Sequence, residues 1–367
     1  MKRLLLLIAL CSLFGGCESP EPEPEPITKP TLTTTAITNS PARVVGRTAT
    51  NGDGSISFDW CGVYVDIRFS GSYLAIKLSD TGRNYLNIWV DGKKQTKLAT
   101  KGSNAKLILF DNPDAEGEHL IRIQKATEGD LGRITLHSIT TNGSLLSTTT
   151  LKRPHHIEFY GDSFTCGYGT ESDNPNDPFT AETENCYYTY AAMTADHFGA
   201  DYSLIAHSGC GVVRNYGDKE QVSNPTLTMS SRAFRTYDND ANSKWNFNKS
   251  TYRPDALVIA LSTNDFSTST HPSKEQFAEG YRQFIEHLRT EWGNDKLPIL
   301  CVLHSGTAAD YVQDMIDTMP YTEIVRIPST IYDYKTDYGA SYHPNRYGQA
   351  KMAKPIIEQL EHLTGWK

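Results

Sequence analysis

The chain has 367 residues, 38% of them hydrophobic and 21% charged, which leaves room for two domains that each bury a core. A net charge of −8 argues against nucleic acid as the main partner, because binding a polyanion needs a basic surface.

The first 17 residues, MKRLLLLIALCSLFGGC, hold two basic residues, a short apolar run and small residues before Cys17. That run is too short to span a bilayer and reads as an export leader over 1–17. Its ending, LFGGC, resembles a bacterial lipobox, in which the cysteine is lipidated and becomes the new N-terminus. Phe14 stands where leucine is usual, and plain secretion with cleavage nearby is the alternative. Residues 18–35 follow as a Pro/Glu-rich linker, ESPEPEPEPITKP, whose prolines favour extended backbone and whose carboxylates repel. These features predict an exported protein held off a membrane by a lipid at Cys17, at the cell surface or in the periplasm.

Beyond Cys11 and Cys17 the sequence has Cys61, Cys166, Cys186, Cys210 and Cys301. The count is odd, so at least one thiol stays free. A Cys166–Cys210 pair and buried free thiols are both open readings.

Residues 36–152 alternate apolar and polar positions in short runs such as VYVDIRFSG, YLAIKLSD and HLIRIQKA, each ending at a turn. This pattern predicts an all-β jelly-roll or sandwich domain. From 153 to 367 the pattern changes. Apolar runs (HIEFY, YSLIAHSG, ALVIALSTND, LPILCVLHSG, EIVRIPS) alternate with helical stretches at 185–198, 273–291, 308–319 and 345–364. Ser273 with Gln276 forms a capping box, and Asn345 suits an N-cap. The expected fold is α/β, a three-layer doubly wound parallel sheet whose site lies at the C-terminal strand ends.

Polar residues fall at or after those ends: Ser163 in IEFYGDSFTCGYG, Gly209 after LIAHS, Asn264 after VIALST, and His343 in DYGASYHPNRYG before the last helix. Each is weak alone, and their order is what carries weight. Ester cleavage explains the set, since a serine hydroxyl needs a base and imidazole suits neutral pH. The tetrahedral oxyanion needs preorganised donors, which the Ser163 and Gly209 N–H groups and the Asn264 amide supply. His207 and His304 are rival bases, more simply read as structural, and Asp162 and Asp265 are read as braces of turns. Arg214, Tyr216 and Tyr338 are candidate substrate contacts, with Trp60 and Trp89 further candidates in the β part. No metal or nucleotide signature is present, so no cofactor is expected.

These motifs, with SGCGVVRNYG and YHPNRYG, resemble the SGNH (GDSL-type) hydrolase superfamily and, within it, carbohydrate esterase family 2. The resemblance covers about residues 45–360 and implies removal of O-acetyl groups from polysaccharides such as xylan and mannans. It assigns Ser163 as nucleophile, His343 as base, and Gly209 and Asn264 as oxyanion donors. Two positions depart from the pattern: Ser262 stands where the third block has glycine, and Ala340 stands where the superfamily has its catalytic aspartate. Asp337 is six residues before the histidine, so a Ser-His dyad is expected. The alternatives are a glycan-binding surface lipoprotein with an inactive hydrolase domain, or an esterase or transacetylase for another acylated glycan.

Overall fold

The computed structural model describes residues 31–115, 117–304 and 306–367. The leader, Cys17 and most of the linker lie outside them.

The chain first builds a curled antiparallel sheet of eleven strands, running from Thr33–Ala36 to Ser144–Leu146. Thr33–Ala36 pairs with Ser138–Thr141, so the last residues given above to the linker belong to this sheet. In VYVDIRF, Val65, Ile67 and Phe69 are buried with Trp60 in the β core, and Tyr64 and Asp66 between them are buried as well, so this strand is covered on both faces. Trp60 is therefore a core residue, while Trp89 is half-buried against the Tyr187 ring.

The second part is a five-stranded parallel sheet: β1 (His156–Gly161), β2 (Asp201–Ala206), β3 (Ala256–Ala260), β4 (Ile299–Leu303) and β5 (Thr322–Arg326), ordered β2-β1-β3-β4-β5. β1 to β4 are short and fully buried because both sheet faces are covered there, while the edge strand β5 is partly exposed. Alternate residues point to opposite layers. Phe159, Leu204 and Val258 meet α2 (Tyr190–His197) and α6 (Arg346–Thr364), while Tyr160, Ile205 and Ile259 share a core with the one-turn α3 (Met229–Arg232), α4 (Lys274–Trp292) and α5 (Gly306–Ile316). The capping box Ser273/Gln276 opens α4, and Asn345 caps α6 through the Tyr347 and Gly348 N–H groups. The predicted stretch 185–198 shortens to α2, preceded by a turn of 3-10 helix at Cys186–Tyr188.

This strand order reverses direction around β1, so a crevice opens at the C-terminal ends of β1 and its neighbours. Buried polar contacts join the two parts. Arg47 of the β part pairs with Glu158 of β1, and the Tyr64 hydroxyl donates to Asp201 of β2 at 2.6 Å. Leu32–Lys367 is one compact unit. All five cysteines of this unit are buried free thiols, which removes the Cys166–Cys210 pairing.

Candidate active site

The strand β1 ends in Gly161-Asp162-Ser163, and Ser163 opens the one-turn helix α1 (Ser163–Cys166). Asp162 caps that turn, its Oδ1 accepting from the Phe164 N–H at 3.0 Å. Gly161 is required by space, because a Cβ there would lie 1.9 Å from Thr165 Oγ1. The turn leaves the Ser163 N–H with no partner among the described residues.

His343 Nε2 lies 2.9 Å from Ser163 Oγ, and His343 Nδ1 lies 3.0 Å from the Ser341 carbonyl oxygen. A carbonyl can only accept, so Nδ1 carries the proton and Nε2 presents its lone pair to the serine hydroxyl. Burial holds the His343 pKa below its ordinary value, with the Ser341 carbonyl pulling the other way, so the ring is a neutral base at pH 7. Rings hold it on two sides: Phe164 edge-on at 5.6 Å and Tyr168 at 4.3 Å, which in turn stacks on Phe179 at 3.9 Å. The tyrosine face also favours the imidazolium that forms when the serine proton moves.

Ser341 and Tyr342 both have left-handed backbone, φ 54° and 60°, a conformation that side chains rarely adopt. The loop 175–177 supports it. Asp177 and Pro175 carbonyls accept the Ser341 and Tyr342 N–H groups at 2.9 and 3.2 Å, and the Tyr342 hydroxyl donates to Asn176 at 2.8 Å. This pair of turns aims the Ser341 carbonyl at the imidazole.

Asp337 is elsewhere. Its carboxylate accepts from the Asp333 N–H at 2.6 Å, the Thr336 hydroxyl at 2.9 Å and Lys351, with burial opposing and these partners together lowering its pKa. Asp337→Ala should therefore change kcat by less than about threefold and leave the acidic limb of the pH–rate profile in place. Removing a true orienting carboxylate costs up to about 10⁴-fold. Steady-state kinetics across pH checks this, and a thousandfold loss would reinstate a triad.

Gly209 follows β2 with φ +79°, a conformation that favours glycine, and its N–H has no partner among the described residues. A Cβ at 209 would touch only Tyr216 Cβ, at 3.8 Å, so backbone conformation rather than crowding demands glycine. Asn264, just past β3, donates its amide to the Cys210 carbonyl at 2.8 Å and to Asp162 Oδ2 at 3.1 Å. Burial pushes the Asp162 carboxyl up to about 7. Asp265 next to it accepts three successive amides, Val212, Val213 and Arg214, at 2.8–3.0 Å, so it braces the turn after Gly209. Ser262, the departure from glycine, accepts the His304 N–H at 3.2 Å and so ties β3 to the end of β4.

The rival histidines are not on the serine. His207 Nδ1 lies 2.6 Å from Asp238, and the half-buried His304 ring meets Phe164 edge-on, its pKa lowered by desolvation to about 4. Arg214 corrects an expectation. It is fully buried, its guanidinium spent on the Asn264 and Glu220 carbonyls and the Ser267 and Thr268 hydroxyls, so it holds the Asn264 loop rather than a sugar. Tyr216 is 70% exposed beside Gly209, and Tyr338 is half-buried between the Tyr332 and Tyr334 rings. Tyr342, 52% exposed next to His343, was not singled out by sequence, nor were Phe164 and Tyr168. Their adjacency to His343 in YHPNRYG and to Ser163 in DSFTCGYG was the available signal.

The fold and this constellation define a class, and residues 159–342 match the GDSL-like Lipase/Acylhydrolase family model, to which the chain belongs. Residues 44–148 match the model for the Carbohydrate esterase 2 N-terminal part. It is 29% identical over 84% of its length to "Cellulase/esterase CelE" of Acetivibrio thermocellus, spanning 38% of that longer protein. To an "Acetylxylan esterase / glucomannan deacetylase" of Cellvibrio japonicus it is 26% identical over 88% of this chain and 90% of that one. A solved family two carbohydrate esterase from Clostridium thermocellum, in complex with cellohexaose, superposes with TM-score 0.80 at 29% identity, covering 89% of this chain and all of that one.

Proposed function

We propose that the protein is a serine esterase that removes O-acetyl groups from polysaccharides such as xylan or glucomannan through an acetyl-Ser163 intermediate. The observation that carries this reading is the 2.9 Å contact between Ser163 Oγ and a His343 ring whose other nitrogen rests on a backbone carbonyl. Ser163 Oγ attacks the acetyl carbonyl carbon while His343 Nε2 takes its proton. The sugar oxygen leaves with that proton, and water, activated by the same imidazole, then releases acetate and regenerates the serine. The unpaired Ser163 and Gly209 N–H groups are two ready oxyanion donors. Asn264 becomes the third by giving up its longer contact, to Asp162.

The exposed rings of Tyr216 and Tyr342 flank this centre and give a pyranose apolar faces to lie against. Tyr338, half-buried, would serve at the margin. The relatives named as acetylxylan esterase and glucomannan deacetylase, and the neighbour holding cellohexaose, support the substrate class. Export, with a lipid on Cys17 as the membrane attachment, rests on the leader sequence. Among the described residues no helix is long and apolar enough to cross a membrane.

The test is acetate release from acetylated xylan and acetylated glucomannan, run beside p-nitrophenyl acetate. Release from at least one polysaccharide is expected. Cleavage of the aryl ester with no acetate from any polysaccharide would remove the substrate assignment and leave the esterase.

A further inference from the structure

The β part contributes a carboxylate to the heart of the α/β part. Glu128 follows the strand Glu118–Lys125 and is 4% exposed. Its Oε2 accepts the Ser208 N–H at 2.7 Å and the Cys166 thiol at 3.5 Å. Ser208 immediately precedes Gly209, and Cys166 closes the single helical turn that Ser163 opens. One oxygen therefore grips both segments that carry the unpaired N–H groups. The grip is itself held: the Glu128 N–H donates to Glu184 Oε2 at 3.1 Å, and its carbonyl accepts from the buried Lys125 ammonium at 2.9 Å and the Leu131 N–H at 3.2 Å.

Elsewhere the turn is anchored at its ends, by the His207 ring, whose Nδ1 lies 2.6 Å from Asp238, and by the Gly209 carbonyl, which accepts the Tyr216 N–H at 2.8 Å, and neither contact reaches the Ser208 amide. His207 N–H bonds the Gly161 carbonyl, and Cys210 N–H bonds the His207 carbonyl at a long 3.3 Å. Gly209, lacking a side chain and sitting at φ +79°, adds flexibility of its own. Among the described residues the Glu128 carboxyl is the sole partner of the Ser208 N–H. Losing it would leave the part-buried Ser208 amide without its acceptor, next to the Gly209 N–H.

We propose that Glu128 is a positioning residue for the oxyanion site, setting the spacing between the Ser163 and Gly209 N–H groups from the β part of the chain. The proposal rests on the esterase reading above. It makes the β part a component of the catalytic apparatus rather than an appended module. Transition-state donors act only when preorganised, and a displacement of about 1 Å can cost on the order of 10²-fold in rate. Burial raises the Glu128 carboxyl pKa, so an amide of the same shape is a mild replacement that still offers an acceptor oxygen to Ser208.

The experiment compares wild type, Glu128→Ala and Glu128→Gln in the full folded chain, with p-nitrophenyl acetate as substrate. Rates are divided by the fraction of Ser163 that a fluorophosphonate labels, read by intact mass. Glu128→Ala should lower kcat per labelled serine about 10- to 100-fold with KM within about twofold, and Glu128→Gln should recover to within about fivefold of wild type. A purely structural residue would lower yield or thermal midpoint and leave kcat per labelled serine intact. A Glu128→Ala kcat within about twofold of wild type overturns the proposal, as does a Glu128→Gln as slow as the alanine variant. A wild type that neither labels nor turns over would instead refute the esterase reading.

Discussion

Ser163→Ala should lower kcat for acetate release by about 10⁵- to 10⁶-fold, with KM close to wild type, and His343→Ala should lose nearly as much. The two losses should not add, because a base with no nucleophile to deprotonate does nothing. The double variant should therefore sit within about tenfold of Ser163→Ala. The reason lies in the geometry: the hydroxyl and the imidazole meet at 2.9 Å, and no other histidine reaches the serine. Water attack aided only by the oxyanion donors accounts for the residue of activity. Steady-state kinetics on p-nitrophenyl acetate, with circular dichroism to show that both variants fold, checks this. A Ser163→Ala enzyme at wild-type rate would end the mechanism.

Asn264→Ala should lower kcat by about 10²- to 10³-fold, the usual cost of one oxyanion donor, again with little change in KM. The amide also fastens the Cys210 carbonyl at 2.8 Å, so the alanine variant loosens the turn after Gly209 as well. Asn264→Asp separates these effects by keeping the shape while putting a negative charge where the oxyanion forms. It should be at least as slow as the alanine variant. An aspartate variant near wild-type rate would show that Asn264 serves as a strut and not a donor.

The order of chemistry along the chain was legible because it is local. GDSF must turn sharply after an apolar strand, and the glycine three residues past the next strand, in IAHSG, fits an open left-handed turn. Helix ends were legible for the same reason, since Ser273 with Gln276 and Asn345 are caps whose hydrogen bonds close within three residues. Arg214 misled because its surroundings in VVRNYGD are polar, while the fold closes the 215–223 loop and the Asn264 loop around it until nothing is exposed. Nothing in the sequence says that a side chain will be enclosed from two loops 50 residues apart.

Sequence by itself determined the class of chemistry and showed no aspartate three residues before His343, since Ala340 has no group to offer there and Asp337 sits at the wrong spacing. Only the tertiary structure decided what replaces it. The left-handed turns at Ser341 and Tyr342 present a carbonyl to His343, and Tyr168 and Phe164 enclose the ring. It also placed Glu128, some 80 residues before Ser208 in the chain, against the turn that carries Gly209. A dyad can be inferred from a missing aspartate, but orientation is a matter of distances, and distances between remote segments exist only once the two layers have packed.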